Sequence, residues 1–271
     1  MRAPLAVLAV SAAAAFAVAC AAVLGLDAVS YGLADGGQPS PCPNGTWCDC
    51  EPPHALCLDF DRPLGLVAPA GRIYSFNVNG IGDAGVDDAI VVSAPGSLRT
   101  VAQTSADFAG GTAEIMAPFA GAARTTRLDF EVNLDRVSQG AAALAYLSFN
   151  GPGCRFAYCF LSVRLDTAMR TLELGEYFDY GDGGLEYIGH PMQATLASGA
   201  GWVHMTVTLT ASGPKSVIGA AVGGLTALDA SADDRFGGLP KALYLGLENV
   251  QAPPGEPWVV HFDNVTVDVG P

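Results

Sequence analysis

Trp202-Val203-His204-Met205-Thr206-Val207-Thr208-Leu209-Thr210 is the stretch whose reading decides the fold. Val203, Met205, Val207 and Leu209 alternate without a break with Trp202, His204, Thr206, Thr208 and Thr210. A period of two is what a strand with one buried and one wet face requires. The pattern recurs elsewhere. In Arg127–Leu134, Leu128, Phe130, Val132 and Leu134 stand opposite Arg127, Asp129, Glu131 and Asn133. In Phe160–Leu165, Leu161, Val163 and Leu165 stand opposite Phe160, Ser162 and Arg164, and in Ala242–Glu248 the inward set is Leu243, Leu245 and Leu247. Weaker strands are expected at Leu56–Phe60, Ile90–Ser93, Ser97–Gln103, Ala142–Phe149, Arg170–Glu176, Ser216–Val222 and Trp258–Val269. Turn signals separate them: Asn79-Gly80, Asn150-Gly151-Pro152-Gly153, Gly181-Asp182-Gly183-Gly184 and Pro253-Pro254-Gly255. No long segment beyond the N-terminal run carries a helical period. Many short strands, each apolar on one face, must cover one another. That predicts an all-β, two-sheet antiparallel jelly-roll sandwich over residues 54–271.

Composition agrees. Half of the 271 residues are apolar, enough for a sizeable core and too many for a disordered chain. The formal charge is −14, with 13 Lys and Arg against 27 Asp and Glu. No basic run is present, so nucleic acid is excluded as a partner: neutralising phosphates takes clustered Lys and Arg.

Residues 1–19 read as a signal peptide. Arg2 supplies the positive end, and residues 4–19 are an unbroken run of apolar and small side chains. The run closes on Ala17-Val18-Ala19-Cys20, which resembles a bacterial lipobox, with Ala17 where Leu is commoner, and implies lipidation of Cys20. Two alternatives stand beside it: an ordinary signal cut at the same Ala-x-Ala, and an uncleaved anchor, since apolar character continues to Leu26 and a span needs roughly 20 residues. Residues 20–53 then form a stalk and a cysteine-rich collar. Seven cysteines less Cys20 leave six, Cys42, Cys48, Cys50, Cys57, Cys154 and Cys159, the even number that a disulfide framework in an exported chain requires. The first four allow three pairings. Zinc is the alternative for them, but the spacing lacks paired C-x2–4-C units. Cys154 and Cys159 are expected to close a short loop, worth only about 2 kcal/mol.

Further resemblance lies in the order of several short motifs across residues 56–269. Leu56-Cys57-Leu58-Asp59-Phe60-Asp61, Ser93-Ala94-Pro95-Gly96-Ser97-Leu98, the Trp202-led strand with the Ser216–Gly224 segment after it, Leu243-Tyr244-Leu245-Gly246-Leu247 and Phe262-Asp263-Asn264-Val265-Thr266-Val267 resemble successive strands of concanavalin A-like lectin/glucanase (laminin G-like) jelly rolls. Such domains are common in bacterial surface lipoproteins. The resemblance implies that the last strand returns beside the first.

Enzymatic relatives of the laminarinase-like glycoside hydrolase class carry E-x-D-x-x-E on one strand, because retaining hydrolysis needs two carboxylates about 5–5.5 Å apart. This chain lacks that motif. Its nearest approach, Glu173-Leu174-Gly175-Glu176, puts the two glutamates on opposite faces of a strand. No G-x-S-x-G elbow, H-E-x-x-H helix or phosphate loop is present, and His54, His190, His204 and His261 are scattered, so no catalytic residue is assigned. Asp83, Asp87 and Asp88 in one loop, and Asp179 with Asp182 in another, are the only places where Ca²⁺ comes into question. Neither offers the six to eight oxygens calcium takes, and no metal or other cofactor is expected.

What remains is a sugar platform, in which a ring packs against the sugar and planar polar side chains surround it. Trp202 and His204 share one outward face, Tyr244 and Glu248 another, and Arg127, Asp129 and Glu131 a third. If these strands are neighbours, they form a groove. The expectation is an extracytoplasmic, membrane-anchored lipoprotein whose jelly roll binds a glycan or cell-wall polymer without catalysis, held at the lipid membrane by its acylated cysteine. The alternatives are a glycoside hydrolase, a structural or adhesive protein-contact module, and a secreted rather than anchored chain.

Overall fold

The computed structural model describes Cys48 and residues 54–60, 75–79, 81–104, 110–119, 124–150, 158–179, 184–212, 215–233 and 239–270. All belong to the second of two compact units, Met1–Gln38 and Pro39–Pro271. The export run, Cys20, Cys42, Cys50, Cys154 and Asp182 lie outside the described residues.

Among the described residues fifteen strands follow one another: β1 (Leu56–Leu58), β2 (Ser75–Asn79), β3 (Ile81–Asp87), β4 (Ser97–Gln103), β5 (Gly111–Pro118), β6 (Thr125–Arg136), β7 (Ala141–Asn150), β8 (Tyr158–Asp166), β9 (Thr171–Asp179), β10 (Leu185–Pro191), β11 (Trp202–Ser212), β12 (Lys215–Val222), β13 (Leu225–Ser231), β14 (Leu239–Gln251) and β15 (Trp258–Gly270). They form two antiparallel sheets, a jelly-roll sandwich. The first runs β13-β12-β11-β6-β15-β4-β3, with β1 also on β15, and the second runs β10-β9-β8-β7-β14-β5-β2. The closing strand does return beside the opening one, with Leu56 opposite Val267 and Leu58 opposite Val265.

Alternation in the sequence becomes burial. Leu128, Phe130, Val132 and Leu134 of β6, Val203, Met205, Val207 and Leu209 of β11, Leu161, Val163 and Leu165 of β8, and Leu243, Leu245 and Leu247 of β14 all lie in the core between the sheets. Trp258, Phe149 and Phe178 join them. Cys48 is disulfide-bonded to Cys57, which ties the collar to β1, and Cys159 is also disulfide-bonded.

Two expectations are corrected. Ile90–Ser93 is no strand but a bend laid over the first sheet. Its amides donate to a side chain instead of a neighbouring strand: Val92 N and Ser93 N both reach Asp263 Oδ2, at 2.9 and 3.0 Å. Asp263 stands at a bulge of β15, which re-aims its carboxylate at the loop. Burial pushes that carboxyl up to about 7, against the pull of its backbone and Ser93 donors. Asp83 and Asp87, read together with Asp88 as one loop, lie on β3, a strand at the edge of the first sheet, and Asp88 follows its end. Five strands were not anticipated: β2, β3, β5, β10 and β13. Four of them, β2, β3, β10 and β13, end a sheet, and Gly, Ala and Pro weaken the pattern of β3, β5 and β10.

Candidate functional site

The outward face of the second sheet is built in rows across five neighbouring strands. Register sets Tyr244 of β14 opposite Tyr146 of β7, Tyr146 opposite Ser162 of β8, Ser162 opposite Gly175 of β9 and Gly175 opposite Gly189 of β10. The next row on the same face runs Glu248, Ala143, Arg164, Glu173. On the other side of the aromatic row, Phe160 lies opposite Tyr177, and Tyr177 opposite Tyr187. Between these rows is a cleft of about 190 Å³, lined by Tyr146, Phe160, Ser162, Arg164, Tyr177 and Glu248, together with Ala143, Leu185 and Asn249.

Two glycines shape the strands around the cleft. A Cβ on Gly175 would stand 2.2 Å from the Tyr187 ring, so only a bare backbone lets that ring lie across β9. At Gly246, φ is +138° and a Cβ would meet Ala113 O at 2.4 Å and Glu114 Cα at 2.6 Å. That close approach of β14 to β5 precedes the irregular register through which Glu248 faces the cleft.

The aromatic side chains brace one another. Tyr146 stacks on Tyr244 with ring centroids 4.3 Å apart and planes 10° from parallel, and meets Phe160 edge-on at 5.5 Å. Tyr177 and Tyr187 are 4.6 Å apart. Pairs of this kind hold their orientation without a ligand.

The polar groups divide into satisfied and unsatisfied. Tyr146 Oη donates to Glu114 Oε1 at 3.1 Å, and Glu114 is 1% exposed beneath it. Burial, then the nearby Glu248 and Glu114 carboxylates, push the Tyr146 hydroxyl far above its ordinary range, so it stays protonated. Arg164 donates Nη1 to Tyr177 Oη at 3.3 Å and its Nε lies 3.9 Å from Glu173 Oε1. Burial opposes the Arg164 charge, but Tyr177, Tyr187 and Glu173 together hold it upward. Tyr187 Oη donates to Glu173. Glu248, by contrast, has no hydrogen-bond partner among the described residues, and burial raises its carboxyl while Arg164 pulls the other way. Ser162 Oγ is buried on the cleft floor with no partner among the described residues.

The structure divides the residues singled out in the sequence. Tyr244 and Glu248 lie on this cleft face, on β14 of the second sheet. Trp202, His204, Arg127, Asp129 and Glu131 lie on β11 and β6 of the first sheet, whose outward face points the opposite way across the core. The two groups do not share a groove. The second group does come together, with His204 opposite Glu131 and Thr206 opposite Asp129, and its members satisfy one another. His204 Nδ1 lies 3.0 Å from Glu131 Oε1 and its Nε2 lies 3.3 Å from Asp129 Oδ1. Arg127 clamps Asp129 through Nε and Nη2 at 2.5 and 2.8 Å, and Thr206 Oγ1 donates to it at 2.6 Å. Hydrogen bonds to Asp129 and Glu131 raise His204 to about 9. Burial works to raise Asp129, but His204, Arg127 and Thr206 outweigh it and hold that carboxyl well below its ordinary range.

Glu173 and Glu176 do point to opposite faces. Glu176 is fully buried, takes His190 Nε2 at 2.7 Å and the Asp233 amide at 3.0 Å, and so bridges the β10 edge to the end of β13. Among the described residues no cluster of three or more His, Cys, Asp and Glu could hold a metal ion.

Sequence reasoning missed Tyr146, Ser162, Arg164 and Tyr177 as parts of one site. A signal was present: Phe160, Ser162 and Arg164 have outward parity on β8, and a Phe on the wet face of a central strand asks for a cover. Tyr146 was hidden in Ala142–Phe149, which is apolar on both parities.

Fold and cleft together define a jelly-roll sandwich with an aromatic, carboxylate-bearing outer face. No family model matches the chain, and no curated protein matches it. Solved structures do. An endo-β-1,4-glucuronan lyase from the fungus Trichoderma reesei is similar with a TM-score of 0.55 at 13% identity, over 72% of this chain and 90% of that one. A sialidase is similar with a TM-score of 0.50 at 11% identity, over 80% of this chain and 19% of that one. The ganglioside-dependent botulinum neurotoxin type C gives 0.50 at 10%, over 79% of this chain and 47% of that one. This chain thus spans about half of the toxin structure and a fifth of the sialidase. At these identities the likeness is one of fold, compatible with a concanavalin A-like jelly roll.

Proposed function

We propose that this chain is an exported, lipid-anchored surface protein whose laminin G-like jelly roll binds a glycan without cleaving it, through the cleft on the second sheet. The observation that carries the reading is the braced aromatic cluster of Tyr244, Tyr146 and Phe160 beside Glu248 and Ser162, two polar groups without hydrogen-bond partners among the described residues. Such a surface offers a sugar a flat apolar wall and unspent hydrogen-bonding capacity. The volume of about 190 Å³ is below the 300–1,000 Å³ of a typical small-molecule pocket and suits a ring or two of an extended polymer. Carbohydrate-active proteins among the similar folds support the substrate class. Export and anchoring rest on residues 1–20 and the cysteine count.

Leaving cleavage out rests on accessibility. Glu114 is sealed beneath Tyr146, and Glu173 is bonded to Arg164 and Tyr187. Glu248 is then the carboxylate a sugar can reach, where hydrolysis wants two flanking one bond. The test is a glycan array with the mature protein, followed by titration of the hits. Tyr244→Ala should abolish binding, while Trp202→Ala, on the other sheet, should leave it intact. No glycan bound, or loss with Trp202→Ala alone, overturns the site. Release of reducing ends from β-glucans overturns the non-catalytic reading.

A further inference from the structure

The charges of the cleft are unequal in kind as well as in number. Glu114, Glu173 and Glu248 stand on this face against Arg164. Arg164 is engaged on this face: its Nη1 donates to Tyr177 Oη at 3.3 Å and its Nε faces Glu173 Oε1 at 3.9 Å. Glu114 is spent on Tyr146. Glu248 alone of these carboxylates lines the cleft without a hydrogen bond among the described residues, half-buried beside aromatic rings.

A half-buried carboxylate gains most from a partner that brings both opposite charge and N–H donors, since charge-assisted bonds are roughly twice as strong as neutral ones. A sugar hydroxyl brings donors without charge. A uronate or sialate brings a further negative charge beside Glu248, on a face where Glu173 already shares the nearest guanidinium, which is how a site rejects a ligand as well as selects one. An ammonium group meets Glu248 and can lie against the ring faces of Tyr146 and Tyr177. Resting on the glycan-binding reading above, we infer that the cleft selects polymers of 2-amino sugars with free amines, that Glu248 is the partner of the ammonium group, and that uronate polymers are excluded. The Ser162 hydroxyl supplies a neutral hydrogen bond to the same ring.

Three β-1,4-linked oligomers of equal length decide it by calorimetric titration in mildly acidic buffer, where the 2-amino groups are protonated: glucosamine, glucose and glucuronic acid. The glucosamine oligomer should bind at least about tenfold tighter than the glucose oligomer, as a charge-assisted bond worth more than about 1.4 kcal/mol requires, and the glucuronic acid oligomer should not bind. Glu248→Gln should bring glucosamine down to the level of glucose. Asp229→Asn, the same charge change at an exposed position on β13 of the other sheet, should keep the preference, which separates a local contact from the overall negative charge. Equal or tighter binding of glucose or glucuronate, or a preference that survives Glu248→Gln, overturns the inference while leaving glycan binding in place. Binding of none of the three, with the protein silent on a wider array, overturns the underlying reading too. Should Glu248→Gln not fold, the order of the three oligomers on the natural protein decides alone.

Discussion

Replacing His204 by Gln should destabilise the protein in acid and do almost nothing in alkali. The imidazole lies between two carboxylates, Asp129 and Glu131, with Arg127 on the far side of Asp129, and it titrates near 9 in the fold against 6.5 when free. A folded value raised above the unfolded one means that the contribution is fully present below pH 6.5 and is lost as pH rises through 9. At 1.36 kcal/mol per pKa unit the difference is worth roughly 3.4 kcal/mol before screening. The side chain is 42% exposed, and ion pairs reached by water deliver far less, so about 1 kcal/mol is expected. Urea unfolding of both proteins at pH 5.5, 7.5 and 10 gives the difference directly, and proton NMR of the His204 ring gives its midpoint. A midpoint near 6.5, or a difference that does not change between pH 5.5 and 10, would refute the claim that this cluster neutralises itself.

Other perturbations have separate readouts. Gly175→Val drives a side chain into the Tyr187 ring and should cost about 1–3 kcal/mol by overpacking, with oligosaccharide affinity falling alongside the melting temperature; an unchanged melt would contradict the need for a bare backbone under that ring. His190→Ala removes a partner of the buried Glu176 carboxylate and should cost about 1–3 kcal/mol in urea titrations, with faster amide exchange along β10. Asp263→Ala strips the acceptor from Val92, Ser93 and Asn264, so amides 92 and 93 should lose protection from hydrogen exchange while β15 keeps its own. Replacing Cys48 and Cys57 together by Ser opens a loop with a sequence separation of 9 and should cost about 2–3 kcal/mol in thermal unfolding under oxidising conditions.

The two-layer fold was legible because alternation is local. Val203, Met205, Val207 and Leu209 need only their own chain to show which face is dry, and the opposite facing of Glu173 and Glu176 followed from the same period of two. Burial of Phe130 or Leu245 needs no knowledge of which strand comes next. The strand order was not legible in that way. Nothing within β14 tells that its neighbours are β7 and β5 rather than β11 and β6, since those pairings join residues from about 90 to about 140 positions apart. Parity alone therefore left Tyr244 and Trp202 equally able to share a groove, and tertiary structure put them on opposite sides of the core. The same holds for the cleft: its rows exist only where five strands lie in register, so Tyr146, Ser162 and Arg164 became one site through packing. Chemistry and facing come from residue type and periodicity, whereas proximity comes from the long-range closure of the sheets.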